Sequence, residues 1–220
     1  MTTMPKKPKL TRETIVEAAI ELIESEGLDS LSTRALGNRL GVQAMSLYHH
    51  VESKDVLLDL ITARLATMIE FGDHTGNWRC ELEAVSRSYI DIARRYPRSF
   101  PLLAARRFNT PETLPVLERI LSIFRRAGLP PAGTAASFRI LGYYLNGAGL
   151  TEGATIEAER RTDFHLQDSG FLEGFPVSGE TVAHLALPNL SGIFEKGLEV
   201  ILDSIEDEIR LTRVNRPHSV

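Results

Sequence analysis

The sequence predicts an all-α protein in two parts, on three observations. Apolar residues recur at the three-and-four spacing of helices through most of the chain, and no segment alternates as a strand does. Gly, Pro and Asn gather in short breaks between those segments. Near the N-terminus, two short helical segments flank Gly41-Val42, the order helix, tight turn, helix of a helix-turn-helix.

Taken in order, residues 1–10 hold three lysines and two prolines with little to bury, and read as a flexible arm. Thr11 can cap a first helix that carries Ile15, Ala18, Ala19, Leu22 and Ile23 on one face and ends at Gly27. Leu28 and Leu31 are anchors under the turn that follows. The segment 34–40 has Ser32 or Thr33 as its cap, and Gly41 suits the left-handed backbone of a sharp stop. The segment 43–50 is the second helix of the motif, the one that normally enters the major groove of DNA. Leu36, Leu40, Val42, Leu47 and Val51 are its inward positions. Ser53 caps a fourth helix with Asp55 in the first turn, expected to run to Phe71.

The break at 72–77 opens a second part. An amphipathic helix over 78–96 stops at Pro97, a short helix covers 98–108, and Asn109-Thr110-Pro111 opens another that runs to Ala127. A long helix is expected over 134–160, apolar on nearly all sides through FRILGYYLNGAGL, hence in the interior or in an interface. Its glycines 142, 147 and 149 would let another helix approach closely, at some cost in helix stability. A loop over 162–176, a short helix over 179–187 and a last long helix from Asn189 or Ser191 to about 213 complete a set of roughly nine or ten helices. The end, from Asn215, is polar.

Composition narrows the classes. With 43% apolar and 25% charged residues, the 220-residue chain matches an ordinary soluble globular protein. No apolar run approaches the roughly 18 residues of a membrane span, and the basic N-terminus has no apolar core of a secretory signal. A single cysteine, Cys80, rules out a disulfide framework within the chain and fits a cytoplasmic protein. The net charge of −4 argues against a generic basic coat for nucleic acid. Residues 1–55 hold seven Lys/Arg and eight Asp/Glu, a net of −1, but with the signs separated. Acids line the first helix at Glu13, Glu17, Glu21, Glu24 and Glu26 and read as a solvated face, while Lys6, Lys7, Lys9, Arg12, Arg34, Arg39 and Lys54 are free to form a positive one. That balance suits a site-specific binder with a small footprint.

The braced helix-turn-helix, then Leu47-Tyr48-His49-His50-Val51, then Ser53-Lys54 opening a helix with Leu57-Leu58, resembles the tetracycline-repressor (TetR) family of bacterial transcriptional regulators. Thr33, Arg34, Leu36, Leu40, Gly41, Val42, Leu47, Tyr48, His50, Val51, Lys54 and Leu57 carry the match, which covers residues 11–60. The remainder resembles that family's regulatory domain in helix order. The resemblance implies a three-helix DNA-binding domain with its arm over 1–55, and an all-α ligand-binding and dimerisation domain over 56–220 with 56–71 as connecting helix. It implies a homodimer on a palindromic operator, two recognition helices about 34–36 Å apart, joined through helices near 134–160 and 191–213. It implies a repressor released by a small-molecule effector.

On that frame Gln43, Ala44 and Met45 lie in the turn that enters the groove, Gln43 for a base edge and the other two for thymine methyls. Tyr48, His49 and His50 are candidates for phosphate, sugar or base contacts, Lys54 for a phosphate at a helix N-terminus, and Arg34 for a guanine edge or the backbone. Lys6, Lys7 and Lys9 form either a DNA arm or a solubilising terminus. Tyr48 is equally a core tyrosine, and the two roles are compatible. His49-His50 diverge on a helix and do not chelate as an i, i+4 pair would, so no metal is assigned. Asn146 and Tyr143/Tyr144 are satisfied core polar groups or the polar handles of a ligand cavity.

In the family's namesake a fourth-helix histidine contacts drug and metal. The matching position is Glu70, so a tetracycline with magnesium is a poor fit and effector residues stay unassigned. Two other classes compete. An all-α enzyme needs a nucleophile–base or metal constellation, which six scattered histidines and one cysteine do not assemble, so neither catalytic residues nor cofactors are assigned. An effector-independent DNA-binding or protein-interaction module would lack a cavity between the helices.

Overall fold

Thr11 caps the first helix reciprocally with Thr14: each hydroxyl takes the other's backbone N–H, at 3.3 and 2.9 Å. From that start α1 (Arg12–Glu26) buries Ile15, Ala19, Leu22 and Ile23. The computed structural model describes residues 10–106, 108, 110–159, 174–185 and 190–214. The lysine arm, most of the expected loop over 162–176 and the polar end from 215 lie outside these residues.

A single 3-10 turn, Leu28–Ser30, leads to α2 (Thr33–Leu40), α3 (Ala44–Tyr48) and α4 (Lys54–Thr67). The second part holds α5 (Trp78–Arg95), α6 (Phe100–Ala105), α7 (Leu114–Ala127), α8 (Pro131–Glu159), α9 (Pro176–Leu185) and α10 (Leu190–Val214). The described residues are all-α, as the sequence predicts. The α1–α3 unit packs on α4; α5 and α8 form the centre of the second part, with α7 and α10 beside them and α6 wedged between α4 and α8. One apolar cluster runs through both parts, from Ile15, Leu36 and Leu47 to Ile90, Phe124 and Leu202.

Several helix ends differ from those the sequence predicts, each for a local reason. The connecting helix α4 ends at Thr67 rather than residue 71, because Glu70 donates its N–H to the Ser88 hydroxyl of α5 at 2.8 Å instead of to its own helix. Helix α7 starts at Leu114 because the Thr113 hydroxyl first closes a turn on the Thr110 backbone, accepting its N–H and donating to its carbonyl. Helix α8 starts three residues early, at Pro131, a residue suited to the first helical position because it lacks an N–H. Helix α9 starts at Pro176, and residues 186–189, which include its expected end, lie outside the described set.

Of the three glycines expected to admit a neighbouring helix, one does so within the protomer. A Cβ at Gly149 would overlap the Phe100 ring of α6, whereas Gly142 and Gly147 face open space. A close approach that the sequence does not announce lies at Gly197 of α10. Its missing side chain admits the Tyr144 ring, whose hydroxyl donates to the Phe194 carbonyl at 2.6 Å.

Candidate nucleic-acid interface and ligand cavity

The turn between α2 and α3 is built from backbone constraints. Ser32 is the residue that caps α2, its hydroxyl accepting the Ala35 N–H at 3.2 Å. Gly41 ends that helix in the left-handed region, φ 66° and ψ 35°. A Cβ at Gly37 would lie 2.9 Å from the Val42 carbonyl oxygen and 3.3 Å from the Ala44 nitrogen. Gly37 therefore fixes how closely the start of α3 sits on α2, a role that its place in the sequence does not signal. Fully buried Leu47 pins α3 to the core below.

Helix α3 is shorter than the expected 43–50. Gln43 stands at its N-cap with extended backbone and no side-chain cap bond, so its amide is exposed and uncommitted among the described residues. Ala44 is half-buried, and Met45 is 71% exposed. Tyr48 ends α3 and is 48% exposed. His49 and His50 fall beyond the helix, in the turn to α4; His49 is exposed, and the His50 carbonyl accepts Arg12 Nε at 3.0 Å. Lys54 is the first residue of α4, after the Ser53 cap. Tyr48, Ser32, Thr33, Ser53 and Lys54 border one small cleft, so the N-termini of α2 and α4 and the C-terminal end of α3 meet. Arg34 is exposed beside it.

The acids of α1 are in part the solvated face that the sequence suggests, with Glu13, Glu21 and Glu26 exposed, but three of the five also bind other elements. Glu17 pairs with Arg64 of α4, Glu21 with Arg39 of α2 at 3.2 Å, and Glu24 bonds to the corner between α5 and α6. Arg39 is therefore engaged, while Arg34 and Lys54 have no carboxylate partner among the described residues.

A cavity of 520 Å³ opens between α5, α6, α7 and α8, within the range of drug-sized ligand sites. Its wall is apolar, with Leu103, Phe108, Ile120, Phe138 and Leu141 prominent. Two neutral polar groups interrupt it. Tyr89 donates to Asn146 Oδ1 at 2.7 Å, and Asn146 Nδ2 donates to the Ala104 carbonyl at 3.1 Å. Burial pushes the Tyr89 hydroxyl above its ordinary pKa of 10.0, which keeps it protonated as the donor. Asn146 is thus both a satisfied core group and part of the cavity wall. Tyr144 packs onto Phe194 and is not among the lining residues, whereas Tyr143 is exposed at the rim. Glu70 is not among the lining residues either.

At the foot of the cavity Arg106, just past α6, donates from Nε to Asp59 of α4 at 2.7 Å and lies 3.6 Å from Asp55. The wall of the cavity and the helix behind Lys54 therefore share one side chain. Neither Arg106 nor Asp59 stands out in the sequence, since their pairing depends on a 47-residue separation closed only by the fold.

Comparison with known proteins agrees with this architecture. Residues 15–61 match the family described as bacterial regulatory proteins, tetR family, and residues 72–209 match the tetracyclin repressor-like C-terminal domain. The HTH-type transcriptional repressor DrrR1 of Streptomyces coeruleorubidus is 34% identical over 157 residues, 70% of this chain and 57% of that protein. The chain thus spans less than two thirds of that relative's length. The class A tetracycline repressor from transposon 1721 of Escherichia coli is 28% identical over 90% of this chain and 91% of its own. Among solved structures, ActR of Streptomyces coelicolor in complex with (S)-DNPA superposes with a TM-score of 0.72 at 25% identity, covering 90% of this chain and 98% of ActR. By its helix-turn-helix, its helix order and these matches over both parts, the chain belongs to the tetracycline-repressor family of bacterial regulatory proteins.

Proposed function

We propose that the protein is a cytoplasmic transcriptional repressor that binds a twofold-symmetric operator as a homodimer and is released by a small molecule. The observation that carries this is the uncommitted turn Gln43–Ala44–Met45 at the start of α3, held on a braced core and flanked by Arg34 and Lys54, cations with no carboxylate partner among the described residues. Gln43 supplies a base-edge donor and acceptor, Met45 and Ala44 apolar contact with thymine methyls, and Tyr48, His49, His50 and Lys54 contacts to the backbone or neighbouring bases.

A single short recognition helix reads too little sequence to select a site, so a second copy is required. Apolar side chains left exposed on α8 (Ile140, Tyr143, Leu150) and α10 (Ile193, Val200, Leu211) supply the surface for it, and a four-helix packing across a twofold axis would bury them. The cavity favours an effector-controlled regulator over a DNA-binding module without one, and so does the likeness to ActR, which was solved in complex with (S)-DNPA.

Selection of bound duplexes from a random pool by the full-length protein tests the reading. Enrichment of an inverted repeat is expected. Recovery of no common sequence, or of one without twofold symmetry, contradicts it.

A further inference from the structure

The cavity differs from the clefts around it in charge. The chain carries 29 acidic and 25 basic residues, and the clefts beside Arg87, Arg119 and Arg79 all have carboxylates on their walls. Among its described lining residues the 520 Å³ cavity has none, and its two charged residues, Arg106 and Arg139, are both cationic. Arg139 has no carboxylate partner among the described residues. Tyr89 and Asn146 satisfy each other, so they do not compensate for a second positive charge. A cationic ligand would meet the like charge of Arg139 with no carboxylate in the wall to offset it, and a divalent metal would find no carboxylate among the described lining residues.

Arg106 is in a different state from Arg139. Its Nε bonds Asp59 at 2.7 Å and its Nη2 reaches the Asp55 carbonyl at 3.4 Å. The Asp59 side chain is 42% exposed, so water can take over its hydration if the arginine turns away. A carboxylate or sulfonate held against an apolar wall is a stronger partner for a guanidinium than a half-hydrated aspartate, because less solvent screens the pair.

We propose that the cavity selects an apolar ligand with a negative charge, received by Arg139 and Arg106, and that this charge competes with Asp59 for Arg106. The inference rests on reading the cavity as the effector site. Ligand binding then unties α6 from the first turns of α4, directly behind Lys54. By reciprocity, whatever frees Arg106 from Asp59 tightens anion binding.

Fluorescence titration of the full-length protein with 8-anilinonaphthalene-1-sulfonate and with N-phenyl-1-naphthylamine, the same ring system without the sulfonate, tests both parts. Gly142→Phe fills the cavity, since a Cβ there meets nothing within 4 Å, and is expected to abolish binding of both probes. Arg139→Gln is expected to weaken the sulfonate about tenfold and to leave the uncharged probe within about twofold. Asp59→Asn is expected to tighten the sulfonate several-fold without changing the uncharged probe. If Arg139→Gln weakens both probes equally or neither, the charge assignment is overturned while the cavity reading stands. If Asp59→Asn leaves the sulfonate unchanged, the competition for Arg106 is overturned. If neither probe binds, or both still bind Gly142→Phe, the effector-site reading falls and takes the inference with it.

Discussion

Glu24 of α1 accepts the backbone N–H of buried Ser99 at 2.8 Å. The same carboxylate takes the Arg98 N–H at 3.4 Å, and the Arg98 guanidinium in return donates to the Glu24 and Ser25 carbonyls at 3.0 and 2.9 Å. The last turn of the bracing helix is thereby fixed to the corner between α5 and α6. A cation over those orphan carbonyls also suits the negative end of the helix dipole. The reading unit and the cavity-bearing part thus share a hydrogen-bonded joint at this corner and an ion-paired one at Arg106 and Asp59.

Glu24→Ala removes the acceptor from two amides at that corner. Leaving buried donors unsatisfied costs about 1–3 kcal/mol, and Glu24→Gln, which keeps an oxygen there, should cost less than half as much. Urea unfolding measures this as a lower midpoint at an unchanged slope. Equal stability of Glu24→Ala and the parent would show that the joint is not formed.

Gly37→Ala and Gly142→Ala should act in opposite directions. At Gly37 the new Cβ meets the backbone of the α2–α3 turn at 2.9 Å, so α3 must shift, and operator affinity should fall by more than about tenfold. At Gly142 it meets nothing within 4 Å, and alanine should stabilise α8 by about 0.5–1 kcal/mol. Thermal unfolding and operator titration of the two variants check both signs.

Gln43→Ala should change which base is preferred at one position of each half-site. Lys54→Ala should weaken binding to all sequences and lower the salt slope by about one for each phosphate that the lysine neutralises. Competition titrations at several salt concentrations separate the two effects. An unchanged base preference in Gln43→Ala would move the readout away from the start of α3.

The Arg87 fork on Glu195, with both bonds at 2.9 Å, clasps α5 to α10. The hydrogen bond from Arg87 holds the Glu195 carboxyl below its ordinary value of 4.5. A depressed carboxylate stabilises the fold above its unfolded pKa, and that contribution is lost as pH falls through the folded one. Glu195→Gln should therefore be less stable than the parent at neutral pH, by no more than about 1 kcal/mol for so exposed a pair. The difference should shrink as pH drops below 4.5. A difference that grows in acid would reverse the sign of this interaction.

What the sequence discloses is local. Thr11, Ser32 and Ser53 mark helix starts because a hydroxyl bonds the amide three residues on, and Gly41 marks a stop because its backbone is left-handed. The reading turn follows from the same short-range logic. Contacts across the fold are illegible in the chain. The partners of Glu17, Glu21 and Glu24 do not show in the sequence because Arg64, Arg39 and the Ser99 amide are distant in it. Helix α4 stops four residues short of its expected end because a serine on α5 takes the Glu70 amide. The cavity itself is a property of four helices packed together, and of its lining residues the sequence offers only Asn146 and Tyr143 as polar handles of a ligand site.

Effector control is tested most directly by the affinity of the full-length protein for its selected operator, titrated with and without a small molecule shown by the Gly142→Phe control to occupy the cavity. Operator affinity should fall about tenfold or more when a cavity ligand that releases the operator is bound, and should not fall in Gly142→Phe. Operator affinity unchanged by every ligand that fills the cavity would contradict control through this site.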